Sequence, residues 1–289
     1  SAEKKQNELA EIIINRAKIY QDLENNEMAL QILNCYPQLN INILTLKANI
    51  LREAQKFEDA KNIYDECLAL DPENANVQWH KSLMELSLGN FREGWRGYEY
   101  RYNVDGFHIT SGGTKSIPEN YIKKFPTIRD VENRNVYIIL EQGIGDQVMF
   151  LSILPDLKKV AKKIKCQVDG RLERIFSFTY PDIDFVSKQY ILPSNVLKDH
   201  VVIRMGSLPH IFRNDIGHFP GEPFLKATDD SIHYFREVTT KLQQNDGPKI
   251  AVSWKGGTSL SKAKDRSIKL EQLLEIFQMK SDILSLIHI

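Results

Sequence analysis

The stretch Val136–Leu157, VYIILEQGIGDQVMFLSILPDL, decides the fold of this chain. It opens with the apolar, β-branched run Val136–Leu140, which is typical of a buried strand. A turn with two glycines follows, Glu141–Asp146, which we name the glycine corner. Apolar residues then recur with helical spacing. A strand, a glycine turn and a helix N-terminus together form the usual ligand-binding position of an open α/β sheet, because the first helical N–H groups are free to bind a ligand.

The pattern leaves several interpretations of the glycine corner open. A dinucleotide site needs a third small residue three positions after Gly145, where Val148 stands instead. A phosphate loop needs Gly-Lys-Ser/Thr after the strand, and the sequence lacks it. In the plainest interpretation Gly143 and Gly145 are ordinary turn residues and Asp146 caps the helix, a position where Asp is favoured. We give a functional site and a plain turn equal weight.

Composition excludes several classes of protein. The 289 residues are enough for about two domains. Lysine plus arginine equals aspartate plus glutamate at 38 each, which gives no support to nucleic-acid binding. We expect a cytoplasmic protein without a membrane span, because the chain shows neither a signal peptide nor an apolar run of about 18 residues. Cys35, Cys67, Cys166 and the histidines lack paired or ligand spacing, so we expect no disulfide and no metal site.

Residues 8–102 are predicted to form helical repeats. The clearest unit is Ile41–Asn74, and the next unit repeats its features about 34 residues on. Small residues where paired helices cross, an aromatic at the turn and a closing proline resemble the tetratricopeptide repeat. These features are Ala48, Phe57, Ala60, Tyr64, Cys67 and Pro72 in the clearest unit, and Ser82, Gly89, Phe91, Gly94 and Tyr98 in the next. An earlier unit, Leu9–Asn40, has a second helix that is one turn shorter.

The repeats have two interpretations of equal weight. They form a groove for an extended peptide, or a helical stack that only supports the next domain. The last repeat departs from the pattern at Gly94–Arg101, where large aromatics such as Trp95 stand in place of small residues. We expect this face to pack against the following domain. Residues 103–134 are rich in Gly, Ser, Asn, Thr and Pro, and we interpret them as a linker that lies over that domain.

Beyond the glycine corner, predicted strands and helices alternate, which favours a parallel, doubly wound sheet. We therefore predict helical repeats over 1–102, the linker, a Rossmann-like lobe over 135–248, and the start of a second such lobe over 249–289. The predicted strands are Lys165–Val168, Ile183–Val186, His200–Arg204, Lys249–Trp254 and Ile283–Ile287, and the predicted helices are Leu172–Phe178, Ser231–Gln243 and Leu270–Phe277.

Four pieces of sequence, in this order, resemble bacterial tetratricopeptide-containing glycosyltransferases, which are related to the two-lobed (GT-B) heptosyltransferases. The pieces are Gly94–Arg101, Glu141–Asp146, Ser207–His210, and Val252–Gly257 with Asp265–Ser267. The resemblance covers most of Ile41–Phe277. It implies an inverting, metal-independent transfer from a nucleotide sugar to an acceptor hydroxyl of a protein, peptide or glycan. It implies no further cofactor.

The resemblance assigns roles to individual residues. Asp146 matches the proposed catalytic base. A helix N-terminus stabilises an ionised carboxylate and makes it a weaker base, so the alternative role of Asp146 is to orient the acceptor hydroxyl. Gln142, Gly143 and Gly145 would line the acceptor side. His210 follows a strand end as well; it either contacts the acceptor or is an ordinary loop histidine, and the residues favour the ordinary histidine. The charge of the leaving nucleotide would be met by cations and backbone N–H groups of the second lobe. The candidates for this role are Lys255, Gly256, Gly257, Thr258, Lys264 and Arg266. The alternative is a solvated polar loop, and we favour the ligand role because the loop follows a strand end, where open sheets bind ligands.

Two further features are given less weight. Asp182-Ile183-Asp184 has the form of a metal-binding motif, but it opens an alternating strand, and the family uses no metal. The lysines between 158 and 165 form a basic helix face, which is more often solvated than membrane-bound.

A second lobe needs on the order of 100 residues, and only 41 run from Lys249 to Ile289. We therefore expect the C-terminal lobe to be truncated. The alternative to an enzyme is a repeat scaffold that binds a partner protein and contains an inactive α/β domain.

Overall fold

The computed structural model of the chain describes residues 2–36, 40–104, 117–187, 193, 197–241, 267–269 and 271–272. The chain forms two compact units, Ser1–Lys226 and Ala227–Ile289. The first unit contains the helical repeats and a parallel sheet. Within the described part of the second unit lies a helix, α12, which spans Asp229–Lys241. It follows Thr228, whose hydroxyl accepts a hydrogen bond from the Ser231 N–H, as expected for the predicted helix over Ser231–Gln243.

Three helix pairs make up the N-terminal part of the first unit. Their helices are α1 Ala2–Asp22, α2 Asn26–Asn34, α3 Ile41–Glu53, α4 Phe57–Leu70, α5 Ala75–Ser87 and α6 Phe91–Tyr98. The prediction of three helical repeats is confirmed. The shorter second helix of the first repeat is confirmed as well, since α2 has 9 residues and α4 has 14.

Asparagine side chains start one helix of each repeat. Asn25, Asn40 and Asn74 accept hydrogen bonds from the backbone N–H three residues ahead, at 3.0, 3.1 and 3.1 Å. Each bond satisfies one of the N–H groups that a helix leaves unpaired at its start. The sequence therefore marks where α2, α3 and α5 begin.

Small residues let the paired helices approach closely, as predicted. Ala48 and Ala60 are fully buried between α3 and α4. In the third repeat a Cβ at Gly97 would come within 2.8 Å of the Ser82 Cβ, and a Cβ at Gly94 within 2.7 Å of the Leu86 side chain. These distances are shorter than real Cβ contacts. Glycine at both positions thus sets the distance between α5 and α6.

Four parallel strands form a sheet in the order β3-β2-β1-β4. The strands are β1 Asn135–Ile139, β2 Lys163–Val168, β3 Asp184–Ser187 and β4 Val201–Arg204. β1 pairs with β2 through Val136 opposite Ile164, and with β4 through Tyr137 opposite Val202. The parallel sheet and its predicted strands up to Arg204 are confirmed.

Short helices connect and cover the strands. They are α7 Ile128–Val131, α8 Ile144–Leu151, α9 Leu154–Val160, α10 Gly170–Thr179 and α11 Leu208–Phe212, with 3-10 turns at Glu99–Asn103, Glu119–Tyr121, Met205–Ser207 and Ile216–His218. None of the helices in the described ranges is long and apolar enough to cross a membrane.

The last repeat and one face of the sheet share a hydrophobic core. Val136, Ile138 and Ile164 on the sheet lie in this core, and Trp79 and Trp95 of the third repeat pack against it. The Trp95 ring meets the Phe150 ring of α8 edge to face, with centroids 6.4 Å apart. The expected contact between the aromatic face of the last repeat and the following domain is therefore present.

The opposite face of the sheet is covered by residues of the predicted linker. Ile117 and Ile122 pack with Tyr137 and Ile139 in a separate core. The Lys123 N–H donates a hydrogen bond to the Val202 carbonyl at 2.8 Å, which extends the edge of the sheet at β4. The described part of the linker, residues 117–134, thus lies over the sheet as expected. The boundaries of the four predicted segments stay predictions.

Candidate functional site

The glycine corner lies where the strand order of the sheet reverses. β2 and β3 lie on one side of β1, and β4 lies on the other. Residues 141–146 follow the carboxyl end of β1, and the turn Met205–Ser207 follows the carboxyl end of β4. Open α/β sheets bind their ligands at such a switch point, outside the carboxyl ends of the strands. The topology therefore places the corner at the usual ligand position, as the pattern predicted.

Asp146 lies in the first turn of α8, and its carboxylate points back to the backbone of the glycine corner. Its Oδ2 accepts a hydrogen bond from the Gly143 N–H at 3.0 Å. This contact is half of a capping box, and it satisfies a donor that the helix start leaves free. Asp146 is therefore a helix cap in this structure, and its Oδ1 has no hydrogen-bond partner among the described residues.

The two glycines of the corner differ in what surrounds them. A Cβ at Gly143 would lie 3.3 Å from the Asp146 Oδ2, so a side chain there would press on the capping carboxylate. A Cβ at Gly145 would meet nothing within 4 Å, and Gly145 is exposed. Packing within the described residues thus favours a glycine at 143 and gives no reason for one at 145.

Gln142 is held in a backbone conformation that L-residues seldom adopt, with φ of 63°. Such a conformation costs on the order of 1 kcal/mol and persists where neighbouring contacts fix it. Here the Gln142 amide donates to the Tyr98 hydroxyl, and the Gln142 carbonyl accepts from the Gln147 amide at 3.4 Å. Gln147 in turn accepts from the Asp169 N–H at 2.9 Å. The corner is thus tied to α6 and to the end of β2.

Arg101, a fully buried arginine, connects the end of the repeats to both sides of the switch point. Its guanidinium forms two parallel hydrogen bonds with the Glu141 carboxylate, Nε to Oε1 at 3.0 Å and Nη2 to Oε2 at 2.9 Å. Nη1 donates to the Glu99 carboxylate at 2.7 Å, and Nη2 also donates to the Ser207 hydroxyl at 2.9 Å. Paired, fork-shaped contacts of this kind are the strongest that arginine makes with carboxylates.

Further contacts complete this network, which we name the Arg101 network: Glu99, Arg101, Tyr102, Glu141 and Ser207. The Ser207 hydroxyl donates to Glu99 at 3.0 Å and lies 2.8 Å from the Tyr102 hydroxyl. The guanidinium contacts two aromatic rings, 4.7 Å from the centroid of Tyr98 and 4.5 Å from that of Tyr102. Buried charges need such complete pairing, because each loses its hydration on folding.

The buried charges shift several pKa values. Burial alone would raise the pKa of Glu141, but the adjacent Arg101 guanidinium outweighs it and the pKa of Glu141 lies below its ordinary value. Burial raises the pKa of Tyr98 to about 12. Glu141 therefore stays ionised at neutral pH and holds Arg101 in place, while the Tyr98 hydroxyl stays neutral and free to accept from Gln142.

His210 lies in α11, just beyond the Arg101 network. It is half-buried, and its Nδ1 is buried without a hydrogen-bond partner among the described residues. Its ring meets the Phe125 ring edge to face at 6.3 Å. Burial lowers the pKa of His210 below the ordinary value, so the imidazole is neutral at neutral pH. A neutral imidazole can accept or donate one hydrogen bond at each nitrogen, as a contact with an acceptor hydroxyl requires.

The predicted donor-binding residues lie outside the described residues. This holds for Lys255, Gly256, Gly257, Thr258, Lys264 and Arg266, and for the predicted strands and helix beyond residue 248. The structure therefore describes the proposed acceptor side, Gln142, Gly143, Gly145, Asp146 and His210, and leaves the proposed donor side as a prediction.

The acidic motif at residues 182–184 is engaged in ion pairs. Asp182 accepts from Lys158 at 2.8 Å, and Asp184 accepts from Lys165. Lys159 pairs with Asp156 at 3.0 Å. Within the described ranges, no group of three or more His, Cys, Asp or Glu side chains could hold a metal ion. Three of the lysines between 158 and 165 thus neutralise nearby carboxylates.

Sequence reasoning did not find the Arg101 network as a unit. Glu99, Arg101, Glu141 and Ser207 all stand in the pieces that resemble the glycosyltransferases, yet the pattern gave them no role. One available signal is the run Tyr98–Tyr102, in which opposite charges alternate with aromatics. Two partners of Arg101, Glu141 and Ser207, lie 40 and 106 positions away in sequence. No local periodicity links residues at such separations, so only the fold could pair them.

Comparison with known proteins identifies the repeats and one relative. The tetratricopeptide repeat family matches residues 41–74, the unit predicted from sequence. Protein FlbA of Caulobacter vibrioides is 30% identical over 200 residues, which are 63% of this chain and 31% of that protein. The chain thus spans about a third of the length of this curated relative. Tetratricopeptide repeats stack into extended surfaces for proteins, so the match indicates a protein partner.

Proposed function

We propose that this chain is part of a glycosyltransferase that moves a sugar from a nucleotide sugar to an acceptor hydroxyl, with inversion and without a metal. One observation supports the proposal most. Three of the four sequence pieces that resemble the family lie far apart in the chain, yet their residues meet at the switch point of the sheet through the Arg101 network. Parallel sheets use this position for ligands.

In the proposed reaction, the acceptor hydroxyl attacks the anomeric carbon of the sugar. The bond from that carbon to the nucleotide oxygen breaks as the new carbon–oxygen bond forms, and the hydroxyl proton passes to a carboxylate. Asp146 is the proposed carboxylate. Since its Oδ2 already accepts from Gly143, the proton would go to Oδ1. The predicted second-lobe cations would stabilise the leaving nucleotide.

The corner and the network would have separate tasks. Gly145 has open space where a side chain would stand, which allows an acceptor to approach the backbone. The Arg101 network would fix the strained backbone of Gln142 and therefore the direction of the corner. The neutral His210 would contact the acceptor. In this proposal the repeats present a protein or peptide acceptor, and a glycan or lipid-linked acceptor would use the same corner.

The experiment that tests the proposal is a thermal-shift panel of UDP, GDP, ADP and CMP and their sugars, followed by assays for nucleotide release. A ligand at a hundred times its dissociation constant adds about 2.7 kcal/mol to the free energy of unfolding, which such a scan detects. We expect one nucleotide class to raise the melting temperature. Lys255→Ala/Arg266→Ala should abolish that shift, whereas Gly145→Ala should keep it and lower turnover. No shift with any nucleotide and no release, once the second lobe is restored to full length, would reject the proposal.

The second candidate function is a scaffold that binds a partner protein through the repeats and contains an inactive α/β domain. The tetratricopeptide match and the role of Asp146 as a helix cap favour it. A scaffold should bind a peptide or protein without any nucleotide, and its affinity should not change with Gly145→Ala or Lys255→Ala/Arg266→Ala. Binding that responds to a nucleotide sugar would instead favour the enzyme.

A further inference from the structure

An exposed apolar stripe runs along the first helix. Leu9, Ile12 and Ile19 are 47, 63 and 57% exposed, and their spacing places them on one side of the helix. Leu23 directly follows the last helical residue and is 68% exposed. We name these four residues the α1 stripe. The other side of α1 is buried, with Ala10 at 4% and Ala17 at 0% exposure. Repeat stacks usually end in a polar face, because the last helix has no further neighbour.

The three repeats can be aligned on their buried small residues, which are independent of the α1 stripe. The corresponding small residues are Ala17, Ala48 and Ser82 in the first helices, and Ala29, Ala60 and Gly94 in the second helices. Both sets step by 31 positions and then by 34. The two sets agree, so they fix which residue of one repeat corresponds to which residue of the next.

In this alignment, Ile12 and Ile19 of the α1 stripe occupy the positions through which each repeat packs on the preceding one. Ile12 corresponds to Ile43 and Val77, and Ile19 corresponds to Ile50 and Met84. Ile43 and Ile50 are buried against α1 and α2. Val77 and Met84 are buried against α3 and α4. The surface that forms both repeat-to-repeat interfaces therefore continues onto α1, where it is exposed.

A basic residue accompanies the apolar positions in all three repeats. Arg16, Lys47 and Lys81 correspond to one another in the same alignment. Lys81 pairs with Asp65, on the second helix of the preceding repeat, at 2.5 Å. Arg16 lies on the same side of α1 as the stripe. The charge at Arg16 thus fits a carboxylate on the second helix of a unit stacked on α1.

We infer that the α1 stripe is the docking site for one further helix pair of the tetratricopeptide type, stacked on the first repeat as that repeat stacks on the second. The docked pair covers Ile12 and Ile19 with apolar side chains and places a carboxylate opposite Arg16. The far end of a second copy's stack does not fit this role, because its third repeat packs against the core of its own sheet. This inference is independent of the proposed function.

The test adds one unit, a copy of residues 41–74, joined directly to Ala10 of this chain. Ala10 is the junction because it corresponds to Ile41 and Ala75 in the alignment of the repeats. Asn74 of the copy then caps α1 as Asn74 caps α5, and Asp65 of the copy faces Arg16. We expect the melting temperature to rise by about 4 °C or more, and the α1 amides to exchange hydrogen more slowly. The same fusion with Ile12→Asp/Ile19→Asp should lose both gains. An added unit that unfolds separately, with unchanged exchange in α1, would overturn the inference.

Two further arms test the partner. In the fusion, Asp65→Lys in the added copy should reduce the gain in melting temperature, because two positive charges would then face each other at Arg16. Sedimentation of the unfused chain, with and without Ile12→Asp/Ile19→Asp, reports self-association. We expect a monomer in both cases. A dimer that the double substitution dissociates would assign the stripe to a second copy, and would overturn the inference.

Discussion

Arg101 shows how a single side chain can hold the site of this protein together. It is fully buried, yet it is charged and contacts residues from three separate parts of the chain. The ion pairs of Arg101 add little net stability, because the free energy lost in desolvating the buried charges is about as large as their electrostatic attraction. Its consequence is geometric, because the guanidinium fixes Glu141 next to the strained backbone of Gln142.

Removing the positive charge should be costly, because two buried carboxylates would lose the guanidinium that pairs with them. We expect Arg101→Met to lower the free energy of unfolding by about 3–5 kcal/mol, measured by urea denaturation. Arg96→Met is the matched control, since Arg96 is exposed, and it should change stability by less than about 0.5 kcal/mol. A loss at Arg101 as small as at Arg96 would show that the network is not a unit.

Asp146 allows its structural and chemical roles to be separated. An asparagine can still accept from the Gly143 N–H, so Asp146→Asn should keep most of the stability, whereas Asp146→Ala should lose about 1 kcal/mol through the missing cap. If Asp146 is the base, Asp146→Asn should lower turnover by at least about a hundredfold. Unfolding curves and nucleotide-release rates of the two variants measure these effects. A rate loss of less than tenfold with Asp146→Asn would leave Asp146 only the cap.

At the scale of elements, the third repeat is built as an adaptor between the stack and the sheet. Glycines at 94 and 97 bring α5 and α6 together, and Trp95 points its ring to Phe150 of α8. One helix therefore satisfies two different neighbours. Its sequence departs from the repeat pattern at the positions where the second neighbour packs.

Trp95→Ala should loosen the contact between the third repeat and the sheet. Removing a large packed ring costs about 3 kcal/mol, and the segment 103–134 should then be cut faster by proteases. Trp95→Phe keeps part of the ring contact and should lose less. Limited proteolysis and unfolding curves measure both effects. Unchanged cleavage of the alanine variant would count against the junction.

Gly97→Ala should strain the crossing of α5 and α6, because the new Cβ would lie 2.8 Å from the Ser82 Cβ. We expect a loss of about 1–3 kcal/mol in chemical denaturation. Adding Ser82→Gly removes the opposing atom and should recover a large part of the loss. Gly145→Ala is the control in open space, and it should leave stability unchanged or slightly improved. Equal losses at 97 and 145 would contradict the crossing contact.

At the scale of the whole molecule, histidine burial makes stability depend on pH. Burial lowers the pKa of His80 to about 4, and burial also lowers the pKa of His210. The folded pKa values lie below the ordinary 6.5, so the unfolded chain binds more protons as the solution is acidified. This contribution to stability is complete above pH 6.5 and is lost as the pH falls toward 4.

We expect the free energy of unfolding to fall by about 1–2 kcal/mol between pH 7 and pH 5. His80→Phe keeps a ring beside Trp79 but removes the imidazole that titrates. The free energy of unfolding of this variant should therefore depend less on pH, by the amount that His80 contributes. Glu141 does not contribute to the change between pH 7 and pH 5, because its lowered pKa places its titration below the ordinary 4.5. Urea denaturation at several pH values measures the profiles, and a His80→Phe profile as steep as the native one would refute the assignment.

Much of the fold could be read from sequence because its signals are local. The β-branched run at Val136–Leu140 and the helical spacing after it produce β1 and α8. Small residues and asparagine caps define the helices of the repeats. The unit Ile41–Asn74 can be recognised from its own sequence pattern alone. Each of these elements depends on contacts within a few residues or one repeat, and neighbouring positions in sequence report such contacts directly.

The tertiary structure alone decided which of these residues meet. The sequence placed the glycine corner after a buried strand and left Asp146 with two interpretations. The fold made Asp146 a cap, brought Arg101 between Glu99, Glu141 and Ser207, and left Ile12 and Ile19 exposed at positions that are buried in the other repeats. Charge pairing and helix stacking act through space, between residues that are tens of positions apart. Neighbouring positions in the sequence therefore do not show which residues meet, and the folded structure does.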